Sequence, residues 1–394
     1  MIRVGASLRF SSTTIAPPLA ERQAVDRPTA PGSPYLVALL VDHQQHMTER
    51  ENVPYDPVPH SHVVPTGYLR AWARGNRIAM RRVGLSDSRS IGIRDAGVRK
   101  NFYRRERPDS GTAIYDVEWS LGQAETAALS LVSNLSARWP LNLDDKGKIG
   151  QFFALQHLRG VAFRQWHEDH VASVLDEIRA NPEAALKPHP GRTTTDGIEE
   201  LTVTMTSDTY RLTKMLKLVR CVGIVFTSMH WSLVEFHRGR LATSDHPVVV
   251  WPLGGGTSRK PSANDLQAGV TESLEVFMPA GPTHLLLMTW RDQKSIGTSV
   301  HGRGRHLATA NAFVVANADT QWFHEPDIDP WIARGRRPPL GPELLAGYDL
   351  SEASGSHRRA RAAELANAEA RRDLSNDPVE VVSEDALPAS TDRI

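Results

Sequence analysis

One cysteine in 394 residues, Cys221, excludes an intrachain disulfide and any cluster built on several thiolates. It lies in the apolar stretch Cys221-Val222-Gly223-Ile224-Val225-Phe226, the setting of a buried, inert thiol. Long apolar runs are also missing. The longest, Tyr35 to Val41 and Leu285 to Trp290, fall far short of the ~20 residues a membrane-spanning helix needs. Residues 1–20 carry Arg3, Arg9 and many Ser and Thr without an unbroken apolar stretch, which argues against a secretory signal. Excess charge of one sign is absent too: 46 Lys and Arg face 45 Asp and Glu, a net charge of +1. Nothing therefore pulls the whole chain towards nucleic acid or an anionic membrane, and any basic surface must be local. These absences point to a cytoplasmic protein with no membrane partner.

What is present is enough apolar content, 40%, to build a real core, with an ordinary 23% of charged residues. No internal repeat is visible. Residues 1–46 are Pro-rich and non-periodic through Ala16-Pro17-Pro18 and Arg27-Pro28, which reads as disorder. Met47-Thr48-Glu49-Arg50 is an alternative start, which would make residues 1–46 a mis-assigned extension. Residues 47–326 read as a single α+β domain: a helical, bundle-like portion packed with a small, mainly antiparallel sheet. Residues 327–394 read as a basic linker, a weak surface helix from His357 to Leu374 and an acidic, disordered tail.

Within the core, Val63 to Trp72 suggests a strand or short helix, and Ile78 to Val83 a partner strand. The helical part covers about 116–228. Asp116 heads a helix with Val117, Leu121, Ala124, Ala128, Leu131 and Leu135 at helical spacing. A second helix runs from Asp144 or Asp145 to Asn181-Pro182, and a third from Ile198 to Val219 or on to Ser228. A strand-rich part follows over about 229–290. It holds a hairpin of Trp231–Phe236 with Leu241–Thr243, and strands at Val248–Trp251, Ser273–Met278 and Thr283–Trp290. A final core helix spans about Gly304 to Phe323.

Four groups of residues could carry chemistry. His60 and His62, at i and i+2, point the same way on an extended chain and could share a proton or, with a carboxylate from elsewhere, ligate a divalent metal. The alternative is that one packs and the other is solvated. Ser244-Asp245-His246-Pro247 offers Asp245 as a metal ligand or general base; structurally, Ser244 and Asp245 would instead bond backbone amides of a turn. Arg159 and Arg164 could clamp an anion, although Glu118 is an obvious intramolecular partner for Arg159. His167 and His170, one helical turn apart, more simply form a solvated face. Gly254 to Lys260 lacks phosphate-loop spacing, and Ser244 lacks a nucleophile elbow. Arg81-Arg82, Lys100 and Arg104-Arg105, with Phe102 and Tyr103, make a basic aromatic stretch able to touch a phosphate backbone.

His62-Val63-Val64-Pro65 followed by Tyr68-Leu69-Arg70 and Trp72 resembles the opening of the bacterial domain-of-unknown-function family 4238. The resemblance continues, in order, through Asn101-Phe102-Tyr103, Asp116-Val117-Glu118 with Glu125, and Gln156, Arg159 and Arg164. Thr243 to Val248, Met278-Pro279 and Thr283 to Leu287 complete it. It covers about His60 to Phe323. Two positions depart: Gly160-Val161 stands where members often have Thr-Pro, and Val63 replaces an aromatic residue. The family carries no established activity, so the resemblance marks boundaries and candidate residues.

Three readings follow. The first is a hydrolase-like enzyme for an anionic or phosphate-bearing substrate. Its catalytic candidates are His60, His62, Glu118 and Asp245, and its substrate-binding candidates Tyr68, Asn101, Tyr103, Arg159, Arg164 and Ser244. The second is a sensing or protein-interaction module in which the same polar residues are structural. The third is a nucleic-acid binder through Arg81 to Arg105.

Overall fold

The computed structural model describes residues 60–100, 102, 105–106, 113–114, 116–182, 193–252, 270, 273–291, 299–332 and 355–375. The expectations for residues 1–46, Asn101, Tyr103, the Gly254–Lys260 loop and the acidic tail lie outside them.

The chain opens with β1 (His60–His62), a single helical turn α1 (Thr66–Leu69), β2 (Arg77–Arg82), β3 (Ser88–Gly92) and β4 (Val98–Lys100). The short strands β5 (Arg105–Glu106) and β6 (Ala113–Ile114) pair with each other. Helices follow: α2 (Asp116–Val132), α3 (Leu135–Arg138), α4 (Leu143–Leu158), α5 (Val161–Ala180), α6 (Thr194–Thr206) and α7 (Asp208–Ser228). Then come β7 (His230–Glu235), β8 (Thr243–Ser244), β9 (Val249–Pro252), β10 (Ser273–Gly281), β11 (His284–Thr289) and β12 (Val300–His301). Helix α8 (Gly304–Asn317), β13 (Gln321–His324) and α9 (Ser356–Ser375) complete it.

A five-stranded sheet, β12-β7-β11-β10-β9, is antiparallel except where β12 runs parallel to β7. Its strands alternate between two hydrophobic faces, as the period-2 geometry of a strand requires. Val234, Phe236, Phe277, Leu285 and Leu287 pack under α8 with Leu307, Phe313 and Val314. Leu233, Val276, Met278, Leu286 and Met288 join the larger core that includes α4 and α7. Two helical layers thus enclose the sheet. A second sheet, β3-β2-β13-β8, is antiparallel throughout, and β1 pairs with β4.

Asn142 starts α4 by accepting the Asp145 amide, with Asp144 and Asp145 in the first turn where the helix dipole favours anions. Two glycines bring α4 and α7 together. A Cβ on Gly150 would strike the Thr227 hydroxyl, and one on Gly223 would press on Gln151. The thiol of Cys221, on α7, is buried.

Several expected elements differ. The long helix predicted from Asp144 to Asn181 divides at Arg159-Gly160, because Gly160 begins a new helix whose Val161 amide donates to Asp319 at 3.3 Å. The third divides at Ser207, whose hydroxyl accepts the Tyr210 amide. The predicted hairpin does not form. β7 pairs with β11 and β12, whereas β8 joins β13 in the other sheet. Nor does Ile78–Val83 pair with the opening strand; β2 lies between β3 and β13. The last core helix stops at Asn317, and Gln321–His324 is a strand. The helix expected on the surface, α9, packs on α7 through fully buried Ala362 and Ala366, with Arg220 bridged to Glu369 at 2.5 Å. No described helix is long and apolar enough to cross a membrane.

Candidate functional site

The site starts from an irregular segment that is buried throughout. Residues 241–249 are all buried, yet only Thr243, Ser244 and Val249 belong to strands. Buried backbone without a regular ladder must find other partners, many of them side chains here. Here Trp72 Nε1 donates to Leu241 O at 2.8 Å, and Asn311 Oδ1 accepts the Ala242 amide at 2.8 Å. Asn317 Nδ2 donates to His246 O and Val248 O at 2.7 and 3.0 Å. Tyr68 OH lies 2.9 Å from Thr243 Oγ1 and donates to Pro279 O at 2.7 Å. Burial pushes this phenol far above its ordinary range, so it stays protonated.

Asp245 sits at the centre of this segment. Its carboxylate accepts the amides of Asp319, Thr320 and Gln321 at 2.8, 2.9 and 3.2 Å, and the Thr320 hydroxyl at 2.6 Å. Arg99 of β4 lies 3.7 Å away. Burial raises this carboxyl above the usual range, and the Thr320 hydrogen bond opposes the shift. The amides Asp245 holds are those of the turn between α8 and β13 (Asp319, Thr320) and of the first residue of β13 (Gln321), which is why that helix does not continue to Phe323. Ser244 Oγ accepts the His246 amide at 3.2 Å.

Arg159, at the end of α4, is buried and donates to Glu125 of α2 and to the carbonyl of His62. The partner expected from sequence was Glu118. It lies seven residues earlier on the same helix and its side chain falls outside the described ones. His62 turns its ring outward, with Nε2 3.0 Å from Arg94 O; the side chain of His60 is outside the described residues. Arg164 points away from this cluster, to Glu168 at 3.2 Å and Asp208 at 3.8 Å. Arg159 thus reaches His62, while two residues on the Val161 amide reaches Asp319, whose own amide donates to Asp245; Arg164 stands apart.

The same part of the chain holds buried polar atoms with no hydrogen-bond partner: both amide atoms of Gln156, Nδ1 of His157 and Nε2 of His246. All three residues are at most 5% exposed. Phe152, Gln156 and Arg159 occupy one face of α4 at i, i+4 and i+7, and Phe152 meets Tyr68. His157 lies one residue round the helix, 5.7 Å in ring separation from His246 and 6.4 Å from Phe226. Burial, and secondarily the neighbouring His246, lowers the His157 pKa to about 3, so its ring is neutral near pH 7. A Cβ on Gly160 would rest in ordinary van der Waals contact with Asp319 and His246, so this junction lies beside both residues.

A family model described as a protein of unknown function, DUF4238, matches residues 60–327. The chain belongs to this family. No curated protein and no solved structure matches it. The matched span contains the whole of the cluster, from His62 to Gln321, and leaves α9 outside.

Sequence reasoning singled out His62, Tyr68, Arg159, Ser244 and Asp245, but not Glu125 as the ion-pair partner, nor Asp319, Arg99 or His157. The i, i+7 spacing of Glu118 and Glu125 puts both on one helix face, so spacing cannot choose between them. The His167–His170 face, expected to be solvated, is half right: His170 stacks on Trp166, whereas His167 is buried against Phe163 and Tyr210. The basic stretch is divided. Arg81 lies over Trp322 and pairs with Asp329, and Arg99 turns to Thr320 and Asp245.

Proposed function

We propose that the chain is a binding module in which the charged residues are framework, and that Gln156, His157 and His246 receive a small, uncharged polar molecule. The observation carrying this reading is that those three residues hold buried donors and acceptors without partners. Such atoms cost free energy unless a water or a ligand meets them. The ionic groups beside them are already bonded: Arg159 to Glu125, and Asp245 to three amides and a hydroxyl. A hydrolytic site for an anion would call for a free cation and a base that titrates near neutral pH. With its pKa held near 3, His157 is a poor base but a good neutral hydrogen-bonding group.

The test is thermal melting of the full chain against two panels. One is uncharged (nucleosides, hexoses, nicotinamide); the other is anionic (inorganic phosphate, ATP, glucose 6-phosphate). The expected result is stabilisation by a member of the uncharged panel that is lost in Gln156→Leu. Stabilisation by an anion that survives Gln156→Leu, with turnover of para-nitrophenyl phosphate, would favour the hydrolase reading instead.

A further inference from the structure

A second constellation lies on other elements and uses no residue of the Gln156–His157–His246 centre. Glu235 ends β7, His237 follows two residues on, and His301 ends β12. One ligand atom from each can be chosen so that all three lie within 4.8 Å of one another. Among the described residues this is the one such grouping of three His, Cys, Asp or Glu side chains.

The backbone dictates this convergence. Val234 and Phe236 face α8, so Glu235 and His237 project to the opposite side of the strand. Parallel pairing sets His301 beside Glu235 in register, and the Gly302 amide locks it by donating to Glu235 O at 2.8 Å. Only a glycine fits at 302, because a Cβ there would enter the Phe236 ring. The turn carrying His237 is fixed on both sides: the Phe236 amide donates to Thr283 O and the Leu241 amide to Pro282 O, and Gly239 takes a φ of +77°.

His237 Nε2 and His301 Nδ1 stand 3.1 Å apart, with ring centroids at 4.7 Å. Ligand nitrogens about 2.0–2.1 Å from a tetrahedral ion lie roughly 3.3 Å from each other, so the two imidazoles are already at ligating separation. The third nearby imidazole, His284, is opposite Glu235 but otherwise engaged. Its Nε2 lies 2.7 Å from Ser136 Oγ and its Nδ1 3.0 Å from Thr283 Oγ1. We infer that Glu235, His237 and His301 bind a divalent transition-metal ion, with zinc the natural occupant to test. Two imidazoles and one carboxylate suit such an ion better than calcium or magnesium, which take all-oxygen sets. Both histidines are exposed, so the fourth position opens to solvent and takes water, as three-ligand zinc sites do. The ion would also clip the two-residue edge strand β12 to β7.

The test uses the full chain without a histidine tag, stripped with a chelator and titrated with Zn²⁺ against a chromophoric competitor. The wild type is expected to take one equivalent that His237→Ala and His301→Gln each weaken by roughly tenfold or more. Their metal-free melting temperatures should stay unchanged, because both side chains are exposed. Co²⁺ should give the visible band of a low-symmetry four-coordinate site in the wild type alone. Zn²⁺ affinity in the wild type no greater than in both variants, including no binding at all, would overturn the assignment. So would equal affinity for Mg²⁺.

Discussion

Two pairs of histidines in this molecule have opposite surroundings. His157 and His246 are enclosed by α4, α7 and the buried segment after β8, with 5.7 Å between rings. His237 and His301 stand at the rim of the five-stranded sheet, with 4.7 Å between rings and nitrogens 3.1 Å apart. Burial holds His157 neutral and leaves its Nδ1 without a partner. Exposure lets the rim pair meet each other and a carboxylate. Position in the fold, more than residue type, separates a neutral hydrogen-bonding centre from a metal-ligating one.

The largest effect should come from breaking the framework around the buried pair. Arg159→Met leaves Glu125 buried without its cation and is expected to cost about 3–5 kcal/mol in urea unfolding. The double variant Arg159→Met/Glu125→Leu should recover much of that loss. If it does not, the pair does more than neutralise itself. Next, Asp245→Ala strips three backbone amides of their acceptor and should cost roughly 3 kcal/mol, with Asp245→Asn milder. An Asp245→Ala variant with wild-type stability would remove the carboxylate from the framework.

A smaller effect follows from pH. The folded pKa of His157 lies below its ordinary value, so the unfolded chain takes up a proton more readily as the solution is acidified. The stability contributed by the neutral ring is fully present above about pH 6.5 and is lost as pH falls towards 3. Between pH 7 and pH 5 this group alone should cost about 2 kcal/mol. His157→Phe should flatten that slope in denaturation series at the two pH values. The smallest effect is at the rim: His237→Ala should change metal-free stability by no more than about 0.5 kcal/mol, so a larger loss would make that histidine structural.

Much of the fold was legible because long amphipathic helices and alternating strands write their period into the chain. The helix starts at Asp116 and Leu143 and the strands β9, β10 and β11 fall close to where periodicity places them, although both helices end sooner than their apolar spacing suggests. Pairing was not legible, because period does not name a partner. Leu241–Thr243 looks like the return arm of a hairpin, but Trp72, Tyr68 and Asn311 draw that segment away to the other sheet. Gln321–His324 continues the apolar pattern of α8, and only the distant Asp245 carboxylate explains why the helix stops first. Helix α9 has few large apolar residues, Leu365 and Leu374, so it reads as a surface element; its alanines allow close docking on α7 instead. At the site, Tyr68, Arg159 and Asp245 stood out by residue type. Glu125 did not, since Glu118 satisfies the same spacing. The rim triad was hidden because His301 lies 64 residues from His237 and meets it only through the parallel pairing of β12.

The neutral buried centre can be tested directly by following the ring signals of His157 in an NMR pH titration of the full chain, with His157→Phe providing the assignment. The ring is expected to remain neutral as the pH is lowered through 5, down to the onset of acid unfolding. A reversible midpoint near 6.5 in the folded protein would contradict the neutral centre, and with it the proposed uncharged ligand.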